Sequence, residues 1–165
     1  QRRLHPDVIQ YNAAISACEK SLQWRWALVL MCGMRSFRLL PDAITYNALI
    51  SACEKGLEWR AALAALGQMR SESLQPDLIT CNAVLSACEK GMQWELSLDV
   101  LRQLREERLE ADGVTGNALI SACNRGWQWA RGLEALQQMR QQGLRLDVIS
   151  HTAVVSACDR SCVWE

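Results

Sequence analysis

The sequence predicts an all-α fold, an α-solenoid of antiparallel helix-turn-helix repeats wound into a superhelix. Three observations carry that prediction. DVIQYNAAISACEKS returns as DAITYNALISACEKG, DLITCNAVLSACEKG, DGVTGNALISACNRG and DVISHTAVVSACDRS, each 35 residues after the last. Fixed self-similarity of this length marks a repeat array. Both halves of each unit carry apolar residues at helical spacing, and cap residues stand at the expected ends. A single helical hairpin cannot bury its apolar face, so neighbouring units must stack.

Taken in order, residues 1–7 (QRRLHPD) read as the tail of an upstream repeat, which would place any targeting peptide before them. Repeats then occupy 8–42, 43–77, 78–112 and 113–147, and residues 148–165 form the first half of a fifth. In the second repeat, Asp42 caps a helix running through Ile44, Tyr46, Leu49, Ile50 and Cys53. That helix should stop near Gly56, the expected glycine C-cap. A second helix begins near Trp59 and carries Ala62, Leu63, Leu66 and Met69 on one stripe, until Pro76 breaks it and Asp77 starts the next unit. Ala111 and Leu146 replace this proline later in the chain, which softens the turn but keeps the Asp cap. Half-repeats at the two ends would leave apolar faces uncovered, so end-to-end self-association is expected.

Composition narrows the function. The 18 basic and 18 acidic residues cancel, so the chain has no overall positive field of the kind that marks a general nucleic-acid binder. No apolar run approaches the length of a membrane span, and no membrane partner is expected. Five of the eight cysteines, Cys18, Cys53, Cys88, Cys123 and Cys158, form one column. Equivalent residues on stacked repeats sit roughly 8–10 Å apart, beyond disulfide reach, so they read as reduced, buried thiols. Cys32, Cys81 and Cys162 fall outside the column, no CxxC occurs, and His5 and His151 lack ligand spacing. Neither a metal nor a cofactor is expected. The Trp column, Trp24, Trp59, Trp94, Trp129 and Trp164, reads as core packing, whereas Trp26 and Trp127 lie outside it and suit an exposed surface.

An asparagine column, Asn12, Asn47, Asn82 and Asn117, sits inside the first helices, with Thr152 in the fifth place. Asn is about 0.5 kcal/mol worse than Ala there, so the column needs a cause. An amide offers a donor beside an acceptor, which suits a pyrimidine edge showing a carbonyl beside an N–H, and a nearby carboxylate can orient it. The alternative is a structural ladder of stacked amides. If the column only reads bases, Asn47→Thr should leave stability almost unchanged, since the two residues have similar helix propensities. For the Asp column, Asp7, Asp42, Asp77, Asp112 and Asp147, helix capping alone explains every member, so capping and reading can share these residues.

Helical hairpins of 35 residues, with Tyr-Asn early in the first helix, Gly before the second, Met near its end and Leu-x-Pro-Asp at the junction, resemble the pentatricopeptide repeat family. Tetratricopeptide arrays have a period of about 34 and a Trp-Leu-Gly signature that is absent here. The resemblance implies binding of single-stranded RNA, one base per repeat. It implies base reading by Asn12 with Asp42, Asn47 with Asp77, Asn82 with Asp112 and Asn117 with Asp147, a combination that favours uracil in the family. Thr152 resembles the purine-reading form, and its partner would follow Glu165. The implied base wedges are Ile9, Ile44, Ile79, Val114 and Ile149, and the implied RNA-backbone contacts are Lys20, Lys55, Lys90, Arg125 and Arg160. Glu19, Glu54, Glu89 and Asp159 lie close to that basic column, which also reads as a solvated, salt-bridged face. The expected partner is U-rich single-stranded RNA, with protein partners for a longer array, in a mitochondrion or chloroplast. No nucleophile–base pair or metal cluster recurs, so no catalysis is expected. The competing function is a protein-interaction scaffold of tetratricopeptide type.

Overall fold

A computed structural model of the chain describes residues 7–141 and Thr152. Among the described residues there are eight helices and no strands: α1 (Val8–Lys20), α2 (Trp24–Ser36), α3 (Ala43–Lys55), α4 (Trp59–Ser71), α5 (Leu78–Lys90), α6 (Trp94–Glu106), α7 (Gly113–Arg125) and α8 (Trp129–Gln141). The odd helices start after Asp7, Asp42, Asp77 and Asp112, and the even ones start on Trp. The chain divides into two compact units, Gln1–Ala87 and Cys88–Glu165, with the boundary inside α5.

In the first unit α3 packs against α1, α2 and α4, so its apolar residues are covered from several sides. Tyr46, Leu49, Ile50, Ala52 and Cys53 are buried there, with Ala27, Met31 and Met34 of α2 and Ala62, Ala65, Leu66 and Met69 of α4. Fully burying a Leu, Ile or Met side chain contributes about 1.5–3 kcal/mol, so this stripe supplies most of the cohesion. The Tyr46 hydroxyl accepts a 2.8 Å hydrogen bond from Arg35, which also meets Glu72 at 2.6 Å. In the second unit α7 packs on α6 and α8, and Leu101, Leu119 and Cys123 form a buried cluster with Trp94, Leu98 and Ala111 against it.

The first helices end where expected, with Gly56 as the C-cap of α3 and Gly126 as the C-cap of α7. Gly56 has φ −78° and is not the left-handed residue; Leu57 is, at φ 61°. Leu22, Met92 and Trp127 take the same conformation at equivalent places. Left-handed φ costs a non-glycine residue about 1–2 kcal/mol, yet the turn closes well: the Leu57 N–H reaches Glu54 O at 3.2 Å and the Glu58 N–H reaches Cys53 O at 2.9 Å. The glycine has a different cause. A Cβ on Gly56 would lie 2.3 Å from Trp24 Cδ1, and one on Gly126 would lie 2.3 Å from Trp94 Cδ1. Trp24 and Trp94 thus rest on the backbone of the following hairpin, where a side chain larger than glycine would collide with the ring. Trp24, Trp59 and Trp94 are half-buried, and Trp94 packs against the buried Leu101, Leu119 and Cys123 cluster, with Arg60 4.5 Å above the Trp59 ring and Arg131 5.5 Å above Trp94. Trp26 and Trp127 are exposed, as expected.

Cys53, Cys88 and Cys123 are buried free thiols, and burial is the main cause that pushes each up to about 11. They stay protonated and pack as small apolar groups. Cys18 is only half-buried, Cys81 is buried and Cys32 is exposed. Cys158, Cys162, Trp164, His5 and His151 lie outside the described residues.

The Trp–Gly contact makes a paired prediction. Gly56→Ala should destabilise the protein by about 1–3 kcal/mol in urea unfolding, because the Trp24 ring must move. Gly67→Ala, on the exposed face of α4 with nothing within 4 Å of the new Cβ, should instead stabilise it by about 0.5–1 kcal/mol. Similar effects from both would mean that Trp24 does not set the cost at Gly56.

Candidate nucleic-acid interface

The site begins with the helix caps. Asp7, Asp42, Asp77 and Asp112 each accept a hydrogen bond from the backbone N–H three residues on, at 2.8, 2.8, 2.7 and 2.8 Å. In the last three the residue reached is Thr45, Thr80 or Thr115, and its hydroxyl oxygen accepts in turn from the Asp backbone N–H at 3.2, 3.4 and 3.2 Å. This is a capping box in which Thr takes the place usually held by Glu or Gln. All three threonines are buried.

The capped carboxylate is also where the preceding hairpin arrives. Asn12 Nδ2 donates to Asp42 Oδ1 and Oδ2 at 3.2 and 3.4 Å, and Thr45 Oγ1 donates to Asn12 Oδ1 at 2.6 Å. One repeat on, Asn47 Nδ2 donates to Asp77 Oδ2 at 3.4 Å, and the Thr80 hydroxyl donates to Asn47 Oδ1. The structure therefore brings together Asn12 with Asp42 and Asn47 with Asp77, as the sequence pairing expects. Their amides meet Asp and Thr of the next hairpin in place of the stacked-amide ladder. The expectation that Asn47 could be exchanged without a stability cost is revised for the same reason, since each net hydrogen bond contributes about 0.5–1.5 kcal/mol.

Asn82 is half-buried on α5 in the first unit, while Asp112 caps α7 in the second. Asn117 is half-buried on α7 and Thr152 is exposed, whereas Asp147, Ile149 and Arg160 lie outside the described residues. Ile9, Ile44, Ile79 and Val114 are between 60% and 77% exposed, unusual for large aliphatics in a column whose helix neighbours form the core. On the basic column, Lys55 meets Glu19 at 2.7 Å, and Arg125 meets Glu89 at 3.7 Å. The Glu19 hydrogen bond and charge hold the Lys55 ammonium above its usual range. Glu54 accepts from Ser86 at 2.8 Å, so the acidic residues stitch consecutive first helices. Lys20 and Lys90 are exposed. Among the described residues no cluster of His, Cys, Asp or Glu could hold a metal ion, and no helix is long and apolar enough to cross a membrane.

Spacing along the sequence does not single out Thr45, Thr80 and Thr115 as site residues. Their signal was present, a Thr three residues after each of three successive Asp caps, but it has no meaning until the two hairpins are placed side by side.

Residues 6–55 and 41–90 match the PPR repeat family, and residues 78–162 match a family described as pentatricopeptide repeat-containing protein. No curated protein matches the chain. Among solved structures, it is similar to the pentatricopeptide repeat protein PPR10 in complex with an 18-nt psaJ RNA element, with 21% identity and TM-score 0.81 over 98% of this chain and 24% of that one. PPR10 from maize gives 23% identity and TM-score 0.75 over 96% of this chain and 23% of that one. The PPR domain of Arabidopsis thaliana protein-only RNase P 1 in complex with tRNA gives 12% identity and TM-score 0.81 over 95% and 83%. The chain thus spans about a quarter of the length of PPR10. At these identities the likeness shows a shared α-solenoid fold.

Both carboxylates at the junctions are held charged. Burial pushes Asp42 and Asp77 up, but hydrogen bonds from the Thr backbone and hydroxyl, together with the Asn amide, outweigh it and leave each below 3.8. A carboxylate depressed by folding stabilises the protein above its unfolded pKa, and that contribution is lost as pH falls through the lower folded value. The melting temperature should therefore drop as pH falls below 3.8. An Asp42→Asn/Asp77→Asn variant should be less stable at neutral pH but have a flatter acid limb. Parallel acid limbs would place the sensitivity in other carboxylates.

Proposed function

The chain belongs to the pentatricopeptide repeat family, and on that premise we propose that it binds single-stranded RNA, one base per repeat, with a preference for a U-rich stretch. The segment acts as a binding module without chemistry of its own, and serves RNA processing or stability in a mitochondrion or chloroplast. Further repeats or partner proteins would supply any reaction, and uncovered hairpin faces would favour self-association of the isolated chain at high concentration.

The observation that carries this reading is the Asn–Asp junction, present at Asn12–Asp42 and Asn47–Asp77 beside the exposed Ile9, Ile44 and Ile79. An Asn amide has two N–H donors and two carbonyl lone pairs. One of each is engaged by Asp and Thr, which leaves one of each for the O4 and N3–H of a uracil. An aliphatic side chain held in water three residues before each Asn gains by covering a base face. The RNA and tRNA held by the similar PPR10 and RNase P chains support RNA as the ligand class.

Base reading is tested at one position. Asn47→Thr should weaken binding of an all-U ligand and move the preference at that nucleotide toward guanine, leaving neighbouring positions U-selective. A good base contact discriminates by about 1–3 kcal/mol, roughly five- to hundredfold. If the variant loses stability while its base preference stays put, the junction is structural and the scaffold function takes precedence.

Backbone contact is tested through the acidic partner. Affinity should fall with salt at a log–log slope no steeper than about −3.5, taking roughly −0.7 for each of five phosphate contacts. Glu19→Gln frees Lys55 from its ion pair, so it should strengthen RNA binding at low salt and steepen the slope. An unchanged slope would put Lys55 away from the phosphates.

A further inference from the structure

Resting on the base-reading proposal, we infer that Thr45 and Thr80 are positioning residues that set which way round the Asn12 and Asn47 amides face, and through that the choice of uracil over cytosine. The Asp42 N–H donates to Thr45 Oγ1 at 3.2 Å, so the hydroxyl already accepts one bond and its proton is left to donate. Two oxygens lie within reach, Asn12 Oδ1 at 2.6 Å and Asp42 Oδ1 at 2.8 Å. Asp42 Oδ1 is already served by the Thr45 N–H at 2.8 Å, whereas the Asn12 carbonyl gains its donor from this hydroxyl. Thr80 stands in the same relation to Asp77 and Asn47: the Asp77 N–H donates to it at 3.4 Å, and its hydroxyl meets the Asn47 carbonyl oxygen.

Distances decide which partner holds the amide. The carboxylate contacts are long, 3.2 and 3.4 Å at Asn12 and 3.4 Å at Asn47, at or beyond the edge of the usual N–H···O range. The hydroxyl contact at Asn12 is the short one at 2.6 Å. Thr45 and Thr80 are 0% and 1% exposed, so water does not compete for the hydroxyl. The threonine thus pins the carbonyl end, and the NH₂ end follows toward the carboxylate.

That orientation has a chemical consequence. Uracil shows a carbonyl at position 4 beside an N3–H, whereas cytosine shows an amino group beside a bare N3, the reverse order of donor and acceptor. An amide held one way round matches uracil, and the same amide turned over matches cytosine. Loss of the hydroxyl removes the closer of the two groups that separate the orientations and leaves only the long carboxylate contact to do so.

The test compares Thr80→Val, which keeps the shape and removes the hydroxyl, with Thr80→Ser, which keeps the hydroxyl. Binding is measured for the full chain against U-rich RNAs carrying U, C, A or G at the nucleotide addressed by Asn47. The wild type and Thr80→Ser should favour U over C at that position. Thr80→Val should lower the U-to-C ratio by at least about fivefold while discrimination against purines stays the same. In the protein without RNA, the Asn47 side-chain NH₂ resonances should become more mobile in Thr80→Val and stay ordered in Thr80→Ser. A Thr80→Val protein that melts earlier but binds U and C ligands in the wild-type ratio overturns the inference, because the hydroxyl would then serve only the helix cap. If the wild type itself shows no preference for U over C, the base-reading proposal falls. The NH₂ resonances then decide the positioning role alone, and unchanged mobility in Thr80→Val would overturn that too.

Discussion

The capped aspartate at the head of each first helix is the constraint on which the rest of the chain depends. Its carboxylate takes the backbone N–H three residues on, which fixes where the helix starts and so which residues face the core. Loss of such a cap costs about 1 kcal/mol, but its position has a second effect. Asp42 and Asp77 also receive the amide of the preceding hairpin, so helix initiation and hairpin-to-hairpin registration share one charged group. Because that group is hydrogen-bonded from several sides, it stays ionised despite partial burial.

Cohesion comes from elsewhere. The polar stitches between hairpins, amide to carboxylate and glutamate to lysine or serine, are individually modest and partly exposed. Buried Leu, Ile and Met side chains contribute several times more apiece. The half-buried Trp joins the two kinds of contact. The Trp24 ring lies on Gly56 and the Trp94 ring on Gly126 of the following hairpin, where a Cβ would collide with the ring, so a glycine at these two places allows the close approach. The left-handed turn that follows is strained at Leu57 and Trp127, and is held by the bonds that close the helix end.

Charge is arranged to cancel locally as well as in sum. Lys55 and Arg125 each meet a glutamate one repeat earlier, so an incoming phosphate would exchange one anionic partner for another instead of meeting a bare cation. Such an exchange gains little from Coulomb attraction at the surface. Under the RNA-binding proposal, selectivity then rests on the amide edge and the exposed aliphatics more than on a positive field.

Period, helix positions, capping aspartates, buried thiols and exposed Trp26 and Trp127 were all legible in the sequence, because each follows from local propensity or from residues at fixed spacing along one helix. The Asn and Asp columns could be paired by spacing through the family resemblance. What spacing could not supply was contact between hairpins. Gly56 is the helix C-cap the sequence suggests, but its second role shows only when the Trp24 ring is seen against it, and Thr45 or Thr80 looks like an ordinary capping residue until the neighbouring asparagine is in reach. In the same way Lys55 reads as an open cation until Glu19 is beside it. These are relations between residues some 30 to 36 positions apart, set by the packing of one hairpin on the next. A helical pattern states which face a residue occupies, and only tertiary packing brings two such faces within hydrogen-bonding distance.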